Sequence, residues 1–264
     1  GSQYDRIRGV AVDAAGAIYA AGSTNSSDFP SLKGYDAKLS GPSDGVLLKF
    51  APDAKTLVFA TYFGGAGDDR AVDLALDRRR TIWIAGVTDS TDLPTKEAVD
   101  PTANGRDDIF LARFNALGSV LLFSTYLGGS KDEYLGAPFQ NGMTVGSDFS
   151  VAVTGTTDSG NFPIQAAFQN ALKGRTDAFV TKYAPGGKSV AFSTFLGGRN
   201  DDQGRDIALD GDGAVYVTGY TVCSDFPIKD AYDPSRNGED DVFVSKFDAE
   251  GSLVYSTFVG GSNR

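Results

Sequence analysis

Carboxylates offer the widest scope for chemistry in this sequence, and they stand at repeated spacings. Asp44, Asp108, Asp177 and Asp241 are each followed five residues on by a base, Lys49, Arg113, Lys182 and Lys246. Two carboxylates held about 5 to 9.5 Å apart, one with its pKa raised by burial, could cleave a glycosidic bond. The plainer reading has each aspartate capping its own turn while each base forms an ion pair at a sheet edge. A second acidic group, Asp68, Asp69, Asp132, Asp201 and Asp202, clusters just after Gly-Gly pairs, with Asp5 and Glu133 at matching positions. Oxygen ligands of this kind could hold calcium, so these five aspartates are candidate metal ligands against a background reading of solvated loop charge. "DGDG" at 210 to 213 looks like the start of a calcium loop, but lacks the later ligands and the closing glutamate.

What is missing narrows the chemistry further. The chain has no histidine, which excludes Ser-His and Cys-His nucleophile pairs and every histidine-ligated metal. Its one cysteine, Cys223, cannot form a disulfide within the chain, and without a histidine to activate it reads as an inert near-surface thiol. With 24 basic and 34 acidic side chains the net charge is −10, so no nucleic-acid partner is expected. No run of about 18 apolar residues is present to insert in a membrane as a helix.

The elements that must position these groups come from a repeat. "AAGSTNSSDFP" (20 to 30) recurs as "IAGVTDSTDLP" (84 to 94), "VTGTTDSGNFP" (153 to 163) and "VTGYTVCSDFP" (217 to 227). "SDGVLLKF" (43 to 50), "DDIFLARF", "TDAFVTKY" and "DDVFVSKF" keep the same register, as do "FATYFGG" (59 to 65), "FSTYLGG", "FSTFLGG" and "YSTFVGG". The repeats run approximately 1–65, 66–129, 130–198 and 199–264, and the third carries five extra residues between Glu133 and Gly142. Each holds four short runs of Val, Ile, Phe, Tyr and Thr separated by Gly, Asp, Asn and Pro, the pattern of strands. In the last repeat the strands are expected at Asp206 to Asp210, Ala214 to Thr221, Asp241 to Phe247 and Leu253 to Val259. Short turns join the first to the second and the third to the fourth; a loop of about 19 residues joins the second to the third.

Strands apolar on both faces need cover on both sides. The expected fold is all-β, a single β-propeller domain over 1–264 with four four-stranded antiparallel blades, one per repeat of about 64 residues. These blocks resemble the bacterial seven-bladed β-propeller repeat family abbreviated SBBP, whose units look like "IYVTG.T.S.DFP", "DAFV.K" and "STYLGG...D". Leu93, Asn161 and Gly146 depart from that pattern. The family name implies seven blades, where this sequence has four units. The resemblance implies a secreted, periplasmic or cell-surface bacterial protein.

Antiparallel order puts the short turns at one end of each blade, and the long loops and Gly-Gly loops at the other. The second end carries most of the acid and the only asymmetric insertion, 133 to 143. Function on a rigid scaffold gathers in such loops, so Tyr134, Phe139, Gln140 and Asn141 are the candidate binding residues. The repeated Phe29, Phe162 and Phe226, each followed by proline, read as plugs pinning the long loop, and Trp83 reads as core. The expected function is a non-enzymatic extracellular module that binds or organises a protein or glycan through its acidic loop face. It could be a homo-oligomer or part of a larger surface assembly. A carboxylate-based polysaccharide enzyme and a calcium-stabilised spacer are the alternatives.

Overall fold

A computed structural model describes residues 1–135 and 142–262. It is all-β, with four sheets in the order of the repeats. The first sheet holds β1 (Asp5–Val12), β2 (Ile18–Thr24), β3 (Asp44–Phe50) and β4 (Leu57–Phe63); the second holds β5 (Asp69–Leu76), β6 (Ile82–Thr88), β7 (Asp108–Phe114) and β8 (Leu121–Leu127). The third holds β9 (Glu133–Tyr134) and β10 (Met143–Val145), both paired with β11 (Val151–Thr157), which is followed by β12 (Asp177–Tyr183) and β13 (Val190–Leu196). The fourth holds β14 (Asp202–Leu209), β15 (Val215–Thr221), β16 (Asp241–Phe247) and β17 (Leu253–Val259). Every strand pairing is antiparallel and, apart from β9 with β11, joins strands adjacent in sequence, so each sheet is a propeller-like blade.

The first strand of the last repeat starts at Asp202, four residues before its expected start. A bulge between Gly204 and Asp206 breaks the two-residue alternation there, as it does between Ile7 and Gly9 and between Ala71 and Asp73. The bulge explains the glycine that anchors the repeat. A Cβ on Gly219 would lie 1.8 Å from the Gln203 carbonyl oxygen and 2.7 Å from the Phe243 ring, and one on Gly86 would lie 2.0 Å from the Arg70 carbonyl oxygen.

The short hairpins are held by the aspartate that follows the first strand. Asp13 Oδ1 accepts from the Ala15 and Ala17 N–H groups, and Asp210 Oδ1 from Asp212 and Ala214. The third residue after this position is left-handed in every blade: Gly16, Arg80, Phe149 and Gly213 have φ of 82°, 60°, 71° and 82°. "DGDG" is therefore the hairpin turn of its blade. Two of the repeated bases complete it, Lys49 with its ammonium 3.8 Å from Asp13 and Lys246 3.7 Å from Asp210. Gly146 stands where the third blade would have that aspartate, and Lys182 instead donates to the Gly213 carbonyl at 2.6 Å.

The long loop does not stay at the blade end. It turns back along the outermost strand, pairing Leu32 with Ala60, Lys96 with Ser124, Gln165 with Ser193 and Lys229 with Ser256. Hydroxyls of Thr61, Thr125, Thr194 and Thr257 accept the backbone N–H of Asp36, Asp100, Gln169 and Asp233 at 2.7 to 2.9 Å. An open strand edge would template association, and the loop satisfies it.

The chain forms two compact units, Gly1–Leu127 and Gly128–Arg264, each of two blades. In the first, Tyr19, Ala21, Leu47 and Phe63 pack on Ala71, Leu74, Ile84, Phe110 and Phe114 of the next blade. In the second, Ala152, Val180, Phe192 and Leu196 meet Ile207, Val215, Val217, Phe243 and Phe247. The phenylalanine plugs lie buried as expected: Phe162 and Phe226 each pack with ring centres 4.6 Å from a strand ring, Phe179 and Phe243. Trp83 is core, fully buried against Phe123.

Candidate functional site

Two sets of polar groups gather at the long-loop end of the blades: buried carboxylates and open cavities. The buried set comes first in the chain's logic, because it shapes the end on which the cavities sit. Asp44, Asp177 and Asp241 accept two N–H groups each from the residues four and three before them, such as Ser40 and Gly41 for Asp44 at 2.9 and 3.1 Å. Asp108 does the same with Asn104. These aspartates cap their own turns.

Their neighbours across the Gly-Gly loop are the carboxylates that open the next first strand. Asp69 Oδ2 accepts the Gly65 N–H at 2.7 Å and the Ser90 hydroxyl at 2.8 Å; Asp202 Oδ2 accepts the Gly198 N–H at 2.7 Å and the Cys223 thiol at 3.1 Å. Glu133 plays this part in the third blade, accepting from Gly129 and Thr157. A threonine two residues before the serine, as in Thr88 and Ser90, receives the serine's N–H and fixes the corner. Asp44 and Asp69 crowd one point: a Cβ on Gly64 would lie 2.8 Å from the Asp44 carboxyl and 2.7 Å from Asp69, and Gly197 is hemmed in by Asp177 and Asp202 at 2.6 Å each. Burial, with the neighbouring carboxylate adding to it, pushes Asp44 and Asp202 up to about 6 despite the N–H groups that hold their anions, and burial first of all raises Asp69 and Asp177. All four are shut off from solvent.

Paired carboxylates with a raised pKa have the electronic character of a glycosidase pair. Their burial and their engagement with backbone N–H groups leave no approach for a sugar. They serve as clamps for the Gly-Gly loop.

The open cavities lie beside these clamps, where the first strands of adjacent blades meet. In the second unit a cavity of about 240 Å³ is lined by Tyr134, Thr156, Asp158, Arg175, Gln203 and Arg205, among others. Tyr134 is 42% exposed. Arg175 pairs with Asp201 at 2.5 Å, and burial of Asp201 is outweighed by hydrogen bonds from Arg175 and Thr176, which hold it below its ordinary value. The Arg205 guanidinium lies 4.8 Å from the centre of the Tyr220 ring. The first unit has a cavity of about 250 Å³ at the equivalent place, lined by Tyr4, Arg6, Arg8, Asn25, Ser43 and Arg70, with Ser23 and Asp68. Position by position, Arg6 stands for Tyr134, Ser23 for Thr156, Asn25 for Asp158, Ser43 for Thr176 and Arg70 for Gln203. The frame repeats and the lining does not.

Of the candidate binding residues, Tyr134 lines a cavity; Phe139, Gln140 and Asn141 lie outside the described residues. The five candidate metal ligands do not converge. Asp69 and Asp202 are clamps, Asp201 pairs with Arg175, Asp68 sits 3.6 Å from Arg70, and Asp132 accepts from the Tyr134 hydroxyl. Among the described residues no group of three or more His, Cys, Asp or Glu is arranged to hold a metal ion.

Cys223 is buried rather than near the surface, because it stands where Ser26, Ser90 and Ser159 close the corner in the other blades. Burial beside the Asp202 carboxylate pushes its thiol up to about 12. That environment disfavours the thiolate. Sequence reasoning passed over the Thr-x-Ser corner and the arginines around Tyr4; the corner was visible as a recurring T-x-S or T-x-C at 24, 88, 157 and 221.

No curated protein matches the chain. A model of the SBBP family, beta-propeller repeat, matches residues 1–30 and 191–227. Both matched stretches hold a first strand, a second strand, the Thr-x-Ser or Thr-x-Cys corner and the proline of the long loop. Over those two stretches the chain is similar to the SBBP beta-propeller repeat.

Proposed function

We propose that the chain is a non-enzymatic binding module of a secreted or surface-displayed bacterial protein, and that it takes glycan in the cavities between adjacent blades at the long-loop end. The supporting observation is the contrast between frame and lining. Clamps, corners and plugs recur in each blade because each blade has the same mechanical problem, whereas Tyr134 and Gln203 face one cavity at positions where the other has Arg6 and Arg70. Side chains released from the common frame are the ones available for a specific ligand. An exposed tyrosine ring beside a carboxylate, an amide and a hydroxyl suits a sugar, whose C–H face packs on an aromatic ring while its hydroxyls take the polar groups.

The test is a panel of neutral and acidic oligosaccharides of bacterial envelopes, immobilised and probed with the purified chain. Binding of a neutral member that is lost in Tyr134→Ala, with the melting temperature unchanged, supports the reading. Retained binding in that variant, or no binding across the panel, overturns it. Turnover of any member would favour the enzyme alternative.

A further inference from the structure

The first unit's cavity is unlike the protein that carries it. The chain bears a net charge of −10, yet three arginines, Arg6, Arg8 and Arg70, line one cavity of about 250 Å³ with a single carboxylate, Asp68. Arg6 and Arg8 come from β1, and Arg70 reaches in from β5 of the next blade. Asp68 pairs with Arg70 at 3.6 Å, a weak contact because the Arg70 side chain is half exposed and that of Asp68 more than a third exposed. Arg6 forms no ion pair among the described residues. Guanidinium groups on both sides of a gap are the arrangement that grips a carboxylate or sulfate through paired hydrogen bonds. The rest of the lining is Tyr4, 75% exposed, with the hydroxyls of Ser23 and Ser43 and the amide of Asn25. Those groups match a polyol ring; among the described residues no aliphatic side chain lines the cavity to take a peptide.

We infer that this cavity binds a carboxylate-bearing sugar, a uronate residue, with Arg6 and Arg70 on the carboxylate and Tyr4 on the ring. The sugar half of this inference rests on the proposed glycan function, and the anion half on the arginines alone. A field of −10 around the cavity opposes long polyanions, so the site reads one or a few acidic residues at a chain end. Lengthening the ligand adds repulsion without adding contacts.

Titration calorimetry with the intact chain and three probes tests this: a galacturonic acid trimer, the neutral galactose trimer, and sodium sulfate. The acidic trimer should bind at one site per chain, weaken as salt rises, and bind no more tightly when extended to a hexamer. Arg6→Gln or Arg70→Gln should lower its affinity at least tenfold with the melting curve unchanged, and Tyr134→Ala should leave it untouched. That last arm separates the two ideas, because Tyr134→Ala probes only the second unit's cavity. Equal affinity for the neutral trimer in Tyr134→Ala, where only the first unit's cavity keeps its full lining, refutes the anion site. Sulfate binding as tightly as the acidic trimer refutes the sugar. Absence of binding, or binding indifferent to both arginine variants, refutes the inference whole.

Discussion

Lowering the pH from 7 to 5 should make this protein more stable, the reverse of the usual loss of carboxylate pairing in acid. The cause is the burial of Asp44 in the first unit and Asp202 in the second, each pushed up to about 6 and each fully shielded from solvent. The unfolded chain holds the same groups near 3.8. A raised carboxyl binds its proton more tightly in the folded state, so its ionisation costs stability at pH 7 and that cost is relieved as the pH falls through 6. Integrating the linkage between pH 7 and 5 gives about 1.3 kcal/mol per carboxyl, one in each unit, as an order of magnitude. Asp69 and Asp177 are raised as well and act in the same direction. Asp13, Asp28 and Asp210 are lowered, so the stability they contribute is still in place at pH 5 and is lost only below their unfolded value of 3.8.

The assay is urea unfolding followed by circular dichroism at pH 7, 6 and 5. With a slope of about 1–3 kcal/mol per molar, the midpoint should rise by about 0.4–1.3 M. The pI near 4.5 sets the lower pH limit, because the protein loses its colloidal repulsion there. Relief of general self-repulsion would also stabilise the fold in acid, but half-molar salt screens that and barely touches buried groups. The rise should persist in salt, and shrink in Asp44→Asn and Asp202→Asn. A midpoint that stays flat or falls between pH 7 and 5, or a rise unaltered in both variants, refutes the reasoning.

Gly219→Ala should cost more than about 3 kcal/mol, because its Cβ meets a backbone carbonyl that has nowhere to move; thermal melts would read it directly. Arg80→Gly should stabilise by up to about 1 kcal/mol by removing an L side chain from a left-handed turn position, seen as a higher urea midpoint. The Cys223 thiol should resist a disulfide reagent at pH 8 until urea unfolds the chain, and Cys223→Ser, which restores the residue of the other three blades, should lower the melting temperature by no more than a degree or two. Melting with EDTA should match melting with calcium, since the loop aspartates are bound to loop N–H groups and arginines; a clear calcium-dependent rise would revive the spacer reading.

Much of this architecture was legible before any coordinates. Three blocks in one register announced four equivalent units, and the runs of Val, Phe and Thr between Asp- and Gly-rich turns announced four strands in each. Those features are local: a turn aspartate such as Asp210 bonds N–H groups two and four residues away, and a strand's alternation lies within seven residues. Capping by Asp44 and plugging by Phe226 could be argued for the same reason, since repetition shows that a residue solves a problem each blade shares. The bulge was hidden because it adds a residue to one strand and spoils the alternation on which a strand is recognised.

Tertiary structure alone decided which polar residues face one another. Asp44 and Asp69 are 25 positions apart and meet only because one blade follows another, which turns two ordinary aspartates into a buried pair with both carboxyls raised. Arg6 and Arg70, or Tyr134 and Gln203, share a cavity for the same reason, across a gap that neither blade possesses by itself. Local spacing sets the shape of a blade, but a site between blades exists only in their packing.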